Sequence, residues 1–166
     1  HDSLTGLPNR LLLQDRLAMA LAASRRTGRP GALMILDLDK FKHLNDRRGH
    51  ESGDQLLVEV AHRIRECVRE TDTVARLGGD EFVVVLPALP DGEEVARTEA
   101  LAAARKIIAS LARPYLLEPG GSRASALEHK CSCSIGIAMF SAADDPRSIL
   151  RRADAAMYRA KRSGRS

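Results

Sequence analysis

The sequence contains few aromatic residues and few cysteines: no Trp, three Phe, two Tyr and three Cys in 166 residues. RNA-binding sheets stack bases on exposed aromatic side chains, so this scarcity argues against a nucleic-acid polymer as partner. Three unevenly spaced cysteines cannot build a disulfide framework, and a reducing, cytoplasmic setting is therefore expected. No apolar run approaches the roughly 18 residues that a membrane-spanning helix needs.

The remaining composition is that of an ordinary globular protein, with 44% hydrophobic and 29% charged residues. The net charge of +4 is spread along the chain, which suits a solvated mixed-charge surface or an anionic small-molecule ligand. The sequence starts at His1 without an initiator Met and stops directly after a helical pattern. We therefore expect residues 1–166 to form a single domain that is a fragment of a larger multidomain protein.

Hydrophobic periodicity indicates alternating helices and strands. Helices are predicted over residues 11–26, 53–68, 93–112 and 146–162, and strands over residues 32–36, 73–77, 81–86 and 129–140. The second and third strands flank Gly78-Gly79, which predicts a hairpin, and residues 114–126 are expected to form a loop or a short hairpin. This order predicts an α/β fold with a mixed central sheet, flanking helices and a βαββαβ core.

Two acidic pairs lie at predicted strand ends. Asp37 and Asp39 follow the apolar run 32–36, although either could instead cap a following short helix. Asp80 and Glu81 follow the hairpin glycines, and one of them could face Asp37 if the two strands are neighbours; a bland acidic turn is the alternative. Two acidic strand ends in one small α/β core are what metal-dependent phosphoryl transfer needs.

Six segments, taken in order, resemble the GGDEF domain of the diguanylate cyclase family. They cover nearly the whole chain: DSLTGLPNR at 2–10, DLDKFKHLND at 37–46, GHESGD at 49–54, RLGGDEF at 76–82, SIGIA at 134–138 and ADAAMYRAKRSGR at 153–165. One such motif is weak, whereas six in order are highly specific. The resemblance implies a palm-like core similar to that of nucleotide cyclase catalytic domains.

The resemblance also implies an activity and its metals. Such domains condense two GTP molecules into cyclic di-GMP and release two pyrophosphates, at the two-fold interface of a homodimer. By motif match, two Mg²⁺ or Mn²⁺ ions per active site would be held by Asp37, the Leu38 carbonyl, Asp80 and Glu81. Asp80 and Glu81 are the candidate catalytic residues, and which of them acts as general base is left open.

Substrate-binding positions follow from the same match. Asn45 and Asp54 would read guanine, because an Asp accepts hydrogen bonds from the two adjacent donors that adenine lacks. Lys161 and Arg165 match the triphosphate-binding positions, Phe41 and Lys42 match positions near the phosphate loop, and Gly78 and Gly79 are further substrate-binding positions. From the residues alone, Asp54 could instead cap the following helix, and Lys161 and Arg165 could complement a helix dipole.

A possible inhibitory site for the product lies before the hairpin. Arg69 and Asp72 precede Gly78 with the spacing of the family's RxxD inhibitory motif, and Lys106 occupies the place of a second Arg in that site. An Arg can contact phosphate or guanine bidentately, and an Asp can accept from guanine N–H groups. The simpler alternative is an Arg at a helix end beside an Asp in a turn.

Two readings of function remain. The first is an active cyclase, which the complete GGDEF signature at 78–82 favours. The second is a module that binds GTP or cyclic di-GMP without turnover and regulates a linked phosphodiesterase. The residues of the first and last motifs also resemble those of GGDEF domains fused to an EAL phosphodiesterase domain. Fused sensor or EAL domains are therefore expected in the parent protein.

Overall fold

The computed structural model describes residues 1–121 and 123–163, with Ser125 described by its backbone alone. The α-helices in this part of the chain are α1 (Arg10–Thr27), α2 (Phe41–Arg48), α3 (His50–Cys67), α4 (Glu93–Ala112) and α5 (Pro146–Arg162). The strands are β1 (Gly31–Leu38), β2 (Thr73–Gly78), β3 (Glu81–Leu86), β4 (Tyr115–Leu117), β5 (Leu127–His129) and β6 (Cys133–Phe140). None of the described helices is both long and apolar enough to cross a bilayer.

The central sheet has the strand order β2-β3-β1-β6, and β4 pairs with β5 in a separate two-stranded sheet. The predicted α/β fold with flanking helices is confirmed, but the prediction of mixed strand directions is wrong. All three pairings in the central sheet are antiparallel. The reason is that each helical crossover joins two parallel strands that are not adjacent, with an antiparallel strand between them.

Helices cover both faces of this sheet. Met34 and Leu36 of β1 pack into a cluster with residues of α3 and α4, while Leu33 and Ile35 pack into a second cluster with residues of α1 and α5. Burial on both faces explains why β1 has a continuous apolar run rather than an alternating one. The predicted strand over 129–140 is interrupted, since β5 ends at His129 and β6 begins at Cys133, opposite Leu38 of β1.

Helix α2 was not predicted as such, although a short helix after Asp39 was considered. Its N-cap is Lys40, a non-glycine residue with φ of 60°, and no side chain caps the helix. Asp37 and Asp39 therefore do not cap α2. Asp54 does not cap α3 either, because that helix already begins at His50.

Two glycines allow close contacts that position the candidate site. A Cβ on Gly136 of β6 would overlap the backbone of Met157 and Ala153, so the glycine lets α5 lie directly on the sheet. A Cβ on Gly53 of α3 would overlap the side-chain oxygen of Asn45 on α2. The first contact sets the distance between α5 and the sheet, and the second holds α2 against α3.

Candidate active site

The acidic strand ends meet at one edge of the central sheet. Asp37 of β1 is in register with Glu81 of β3, and the Leu38 amide donates to the Asp80 carbonyl at 3.4 Å. The condition set by the sequence, that the two strands be neighbours, is thus fulfilled. The edge is half-buried at Asp37, Asp80 and Glu81.

Among the residues that the structure describes, one oxygen of Asp37 has no hydrogen-bond partner. Its Oδ1 is buried without a hydrogen bond, while its Oδ2 lies 3.0 Å from the Lys161 ammonium of α5. The same ammonium lies 3.6 Å from Asp39, whose carboxylate also accepts from Ser132 and Ser134. Because a buried, unpaired carboxylate oxygen costs free energy, this position favours a cation.

The pKa values of the neighbouring carboxylates also favour a cation at this edge of the sheet. Burial, the hydrogen bond that a protonated Asp80 donates to Asp37 and the charge of Asp37 raise the pKa of Asp80 to about 7. Burial and the charges of Asp154 and Asp37 raise the pKa of Glu81. Burial opposes the charge of Lys161, but its contacts with Asp37 outweigh that effect and raise its pKa. Negative charge is therefore crowded at this edge, and a bound cation would relieve it.

The metal set predicted from the motif can be compared with this geometry. Across the described ranges, 1–121 and 123–163, no three His, Cys, Asp or Glu side chains lie together as a group that could hold a metal ion. What the edge offers is the orphaned oxygen of Asp37 with Asp80 beside it, which fits hard cations that take one or two carboxylates and complete their shell with substrate phosphates. The full set with Leu38 and Glu81 stays a prediction.

Hydrogen bonds from Arg76 connect the hairpin tip that carries Asp80 to the N-terminal turn at residues 2–5. The Arg76 guanidinium donates to the Gly79 carbonyl at 3.0 and 2.8 Å and to Asp2 at 2.9 Å. Asp2 also accepts from the amide and hydroxyl of Thr5, which closes the turn. Gly78 and Gly79 have φ values of 144° and 51°, which side-chain-bearing residues rarely adopt. The sequence contains both motifs, but their local patterns do not predict the hydrogen bond between Arg76 and Asp2.

The predicted guanine-reading residues lie where α2 packs on α3. The Asn45 side chain rests against Gly53, the residue before Asp54. Its Oδ1 and the hydroxyl of Ser52 are buried and have no hydrogen-bond partner in the described part of the chain, whereas Asp54 is exposed. The corner therefore contains unsatisfied polar atoms beside an available carboxylate, which suits a polar heterocycle.

The other predicted substrate-binding residues come from three elements. Phe41 and Lys42 open α2, where backbone amides are free of helical partners, and Lys161 lies at the acidic edge. Gly78 and Gly79 form the exposed hairpin tip. Arg165 lies outside the described residues. The assignment of all six residues to substrate binding stays a prediction.

The residues of the predicted inhibitory site share one cavity. Arg69, Asp72 and Lys106 line a surface cavity of about 440 Å³ between the end of α3 and the side of α4. The Arg69 amide donates to Asp72 at 2.9 Å, and the Arg69 guanidinium lies 3.7 Å from Glu99. The cavity is at the opposite end of β2 from the hairpin tip, so a ligand there would not touch the acidic edge.

Comparison with known proteins assigns the family. Residues 1–166 match the family described as "Diguanylate cyclase, GGDEF domain". The chain is 45% identical over 166 residues to diguanylate cyclase TpbB of Pseudomonas aeruginosa, covering 99% of this chain and 36% of that protein. It thus spans about a third of the length of that relative.

Solved structures agree with this assignment. The isolated GGDEF domain of TpbB superposes with a TM-score of 0.89 at 44% identity, covering 99% of this chain and 90% of that one. The GGDEF domain of DgcB from Caulobacter crescentus, solved in complex with c-di-GMP, gives a TM-score of 0.86 at 31% identity, covering 99% and 91%. With the motifs, the fold and these matches in agreement, the chain belongs to the GGDEF family of diguanylate cyclase domains.

Proposed function

We propose that this domain is a diguanylate cyclase, which condenses two GTP molecules into cyclic di-GMP and releases two pyrophosphates. The observation that carries the proposal is the acidic edge, where a buried oxygen of Asp37 has no hydrogen-bond partner among the described residues and Asp80 lies beside it. A site that crowds carboxylates in this way suits a metal-bound triphosphate. The intact GGDEF signature at 78–82 supports turnover over a purely regulatory role.

In this proposal the acidic edge holds two Mg²⁺ or Mn²⁺ ions through Asp37, the Leu38 carbonyl, Asp80 and Glu81. When bound, the metals supply charge neutralisation and a more acidic 3′-hydroxyl. Asp80 and Glu81 are the catalytic carboxylates. The pKa of Asp80, about 7, means that this carboxyl can exchange a proton for a cation near neutral pH, and the pKa of Glu81 is raised in the same direction.

Phosphate and base recognition divide between the helices. Lys161, which here neutralises Asp37 and Asp39, pairs with the triphosphate together with Arg165 and Lys42, and the first amides of α2 around Phe41 donate to it. The hairpin glycines leave room for the nucleotide. Asn45 and Asp54 read the guanine edge, which satisfies the buried oxygen of Asn45's amide group through an N–H of the base.

The reaction needs two copies of the domain. Each protomer binds one GTP, and formation of two phosphodiester bonds requires each 3′-hydroxyl to reach the α-phosphate held by the other protomer. We therefore propose a homodimer with the acidic edges facing each other across a two-fold axis. Because the chain spans about a third of TpbB, we further propose that it is one domain of a larger protein with fused sensor or EAL domains.

Incubation of the domain at high concentration with GTP and Mg²⁺ tests the function. Cyclic di-GMP and pyrophosphate are expected in a 1:2 ratio, measured by nucleotide chromatography and a phosphate assay, with a rate that rises more steeply than protein concentration because the dimer is the active species. ATP is the matched control substrate and is expected to give no cyclic product. Binding of GTP without product would overturn the cyclase proposal and favour the regulatory module.

Product inhibition is expected at the cavity that contains Arg69, Asp72 and Lys106. Its lining pairs a guanidinium fork with a carboxylate acceptor, which together suit the phosphate and guanine edge of cyclic di-GMP. Lys106 adds a single point charge rather than a second fork. The DgcB domain shows that a relative binds c-di-GMP. Since the cavity is remote from the acidic edge, inhibition would act by holding protomers apart or stiffening the hairpin.

Arg69→Ala is expected to weaken cyclic di-GMP binding about tenfold or more, the loss of one charge-assisted contact, and to leave synthesis from GTP in place. Calorimetric titration of cyclic di-GMP into both proteins measures the change. Arg105→Ala is the control, because Arg105 is an exposed neighbour of Lys106 that does not line the cavity. Equal affinities of wild type and Arg69→Ala would dismiss the inhibitory site while leaving the cyclase proposal intact.

A further inference from the structure

A basic cavity lies on the face of α2 that is turned away from Asn45. It has a volume of about 460 Å³ and is formed by α2 together with the segment that joins β5 to β6. Its basic lining comprises Lys40, His43, Arg47, Arg48, His129 and Lys130. No role in the proposed reaction has been given to any of these residues.

The cations of this cavity lack internal counter-ions. Within the described ranges, Lys40, Arg47, Arg48 and Lys130 form no ion pair, and all four are exposed. Of the two lining carboxylates, Asp39 is already engaged by Lys161 and Ser132, which leaves Glu128. Burial and the charge of Arg48 lower the pKa of His129, which indicates a positive potential inside the cavity.

The arrangement on α2 separates this cavity from the proposed GTP site. His43 and Arg47 are four residues apart and therefore lie on one face of the helix, and Lys40 lines the same cavity from the N-cap position. The Asn45 side chain points instead against Gly53 of α3. A nucleotide read by Asn45 therefore leaves the cavity on the opposite face unfilled.

We propose that this cavity binds a phosphate-rich anion, with the chemistry of pyrophosphate or of a nucleotide triphosphate, at a site distinct from the acidic edge. Arginine forks bind phosphate oxygens bidentately, and two arginines and two lysines here converge from two elements. The volume lies within the range of about 300–1,000 Å³ that small ligands occupy. The proposal does not depend on the cyclase reaction.

Calorimetric titration of sodium pyrophosphate, with a chelator present to remove divalent metals, tests the site in wild type and in Arg47→Glu/Lys130→Glu. Wild type is expected to bind one pyrophosphate, and the double variant to bind at least about tenfold more weakly. Arg151→Glu carries the same kind of charge reversal on an exposed residue of α5 outside the cavity lining, and is expected to bind as wild type does. Circular dichroism checks that each variant is folded.

Two further arms locate the ligand and identify its source. Lys42→Ala removes a cation of the proposed GTP site that does not line the cavity and is expected to retain pyrophosphate binding; loss of binding in this variant would place the anion in the GTP site and overturn the proposal. GTP titrated under the same metal-free conditions shows whether the cavity prefers a nucleotide triphosphate to free pyrophosphate. Absence of binding by wild type, or unchanged binding by the double variant, would also overturn it. Turnover is impossible without metal, so neither result bears on the cyclase proposal.

Discussion

Replacing Asp80 with Ala is expected to abolish cyclic di-GMP synthesis, lowering the rate by about a thousandfold or more. The physical reason is that a metal ligand at a phosphoryl-transfer site supplies several kcal/mol of transition-state stabilisation, and each 1.36 kcal/mol is about a tenfold change in rate. Product chromatography after incubation with GTP and Mg²⁺ measures the effect. Titration of Mn²⁺ into the nucleotide-bound protein is expected to show weaker metal binding in the variant.

The fold is expected to survive this substitution. Asp80 lies at a hairpin tip rather than in the core, and its removal relieves the crowding with Asp37 that raises its pKa. Thermal unfolding should therefore give a Tm no lower than that of wild type. Asp91→Ala is the matched control, because Asp91 is an exposed acidic residue that follows β3 at the opposite end of that strand from the acidic edge. Turnover by Asp80→Ala at the wild-type rate would refute the metal and catalytic assignment.

Replacing Arg63 with Met is expected to destabilise the domain by about 3 kcal/mol. This Arg on α3 is only 7% exposed. Its guanidinium donates to the carbonyls of Ser110, Arg113 and Pro114 at 2.8–2.9 Å and stacks over the Tyr115 ring at 3.7 Å. These carbonyls belong to the end of α4 and the residues after it, where no further helical turn supplies donors. Met retains the apolar stem and removes every donor.

Urea denaturation followed by circular dichroism measures this loss, and a Tm lowered by about 6–12 °C is the thermal counterpart for a domain of this size. Arg97→Met is the control, because Arg97 makes only an exposed pair with Glu93 on the same helix. That pair is worth about 0.5 kcal/mol or less. If Arg63→Met and Arg97→Met unfold at the same urea concentration, the carbonyls at the end of α4 are adequately hydrated without Arg63.

Features that depend on local periodicity were predictable from the sequence. Helix α3 has its apolar residues at helical spacing, and the two strands around Gly78-Gly79 are joined by residues that accept positive φ. Helix α2 was harder, since only Leu44 of its eight residues is buried and the pattern has no amphipathic face to detect. Sheet direction was also missed, because it depends on which strands become neighbours rather than on any one segment.

The candidate site shows the same division. The motifs predicted that Asp37 and Asp80 share one site, and the adjacent strands β1 and β3 place them at the same edge of the sheet. Contacts between distant segments carried no local signal: Arg63 meets carbonyls about 50 residues away, at separations of 47 to 51, and Arg76 meets Asp2 at a separation of 74. Such side chains look like ordinary surface cations until the chain is folded.

The bond between Arg76 and Asp2 makes the hairpin tip sensitive to events at the margin of the domain. One rigid, planar guanidinium holds the N-terminal turn with one of its nitrogens and the Gly79 carbonyl with two others. Because hydrogen bonds weaken steeply with small changes in length and angle, a shift of the turn by an ångström would be felt at the residue next to Asp80. A displacement of the first residues would therefore lengthen or bend the hydrogen bonds that hold the hairpin tip beside the proposed catalytic carboxylates.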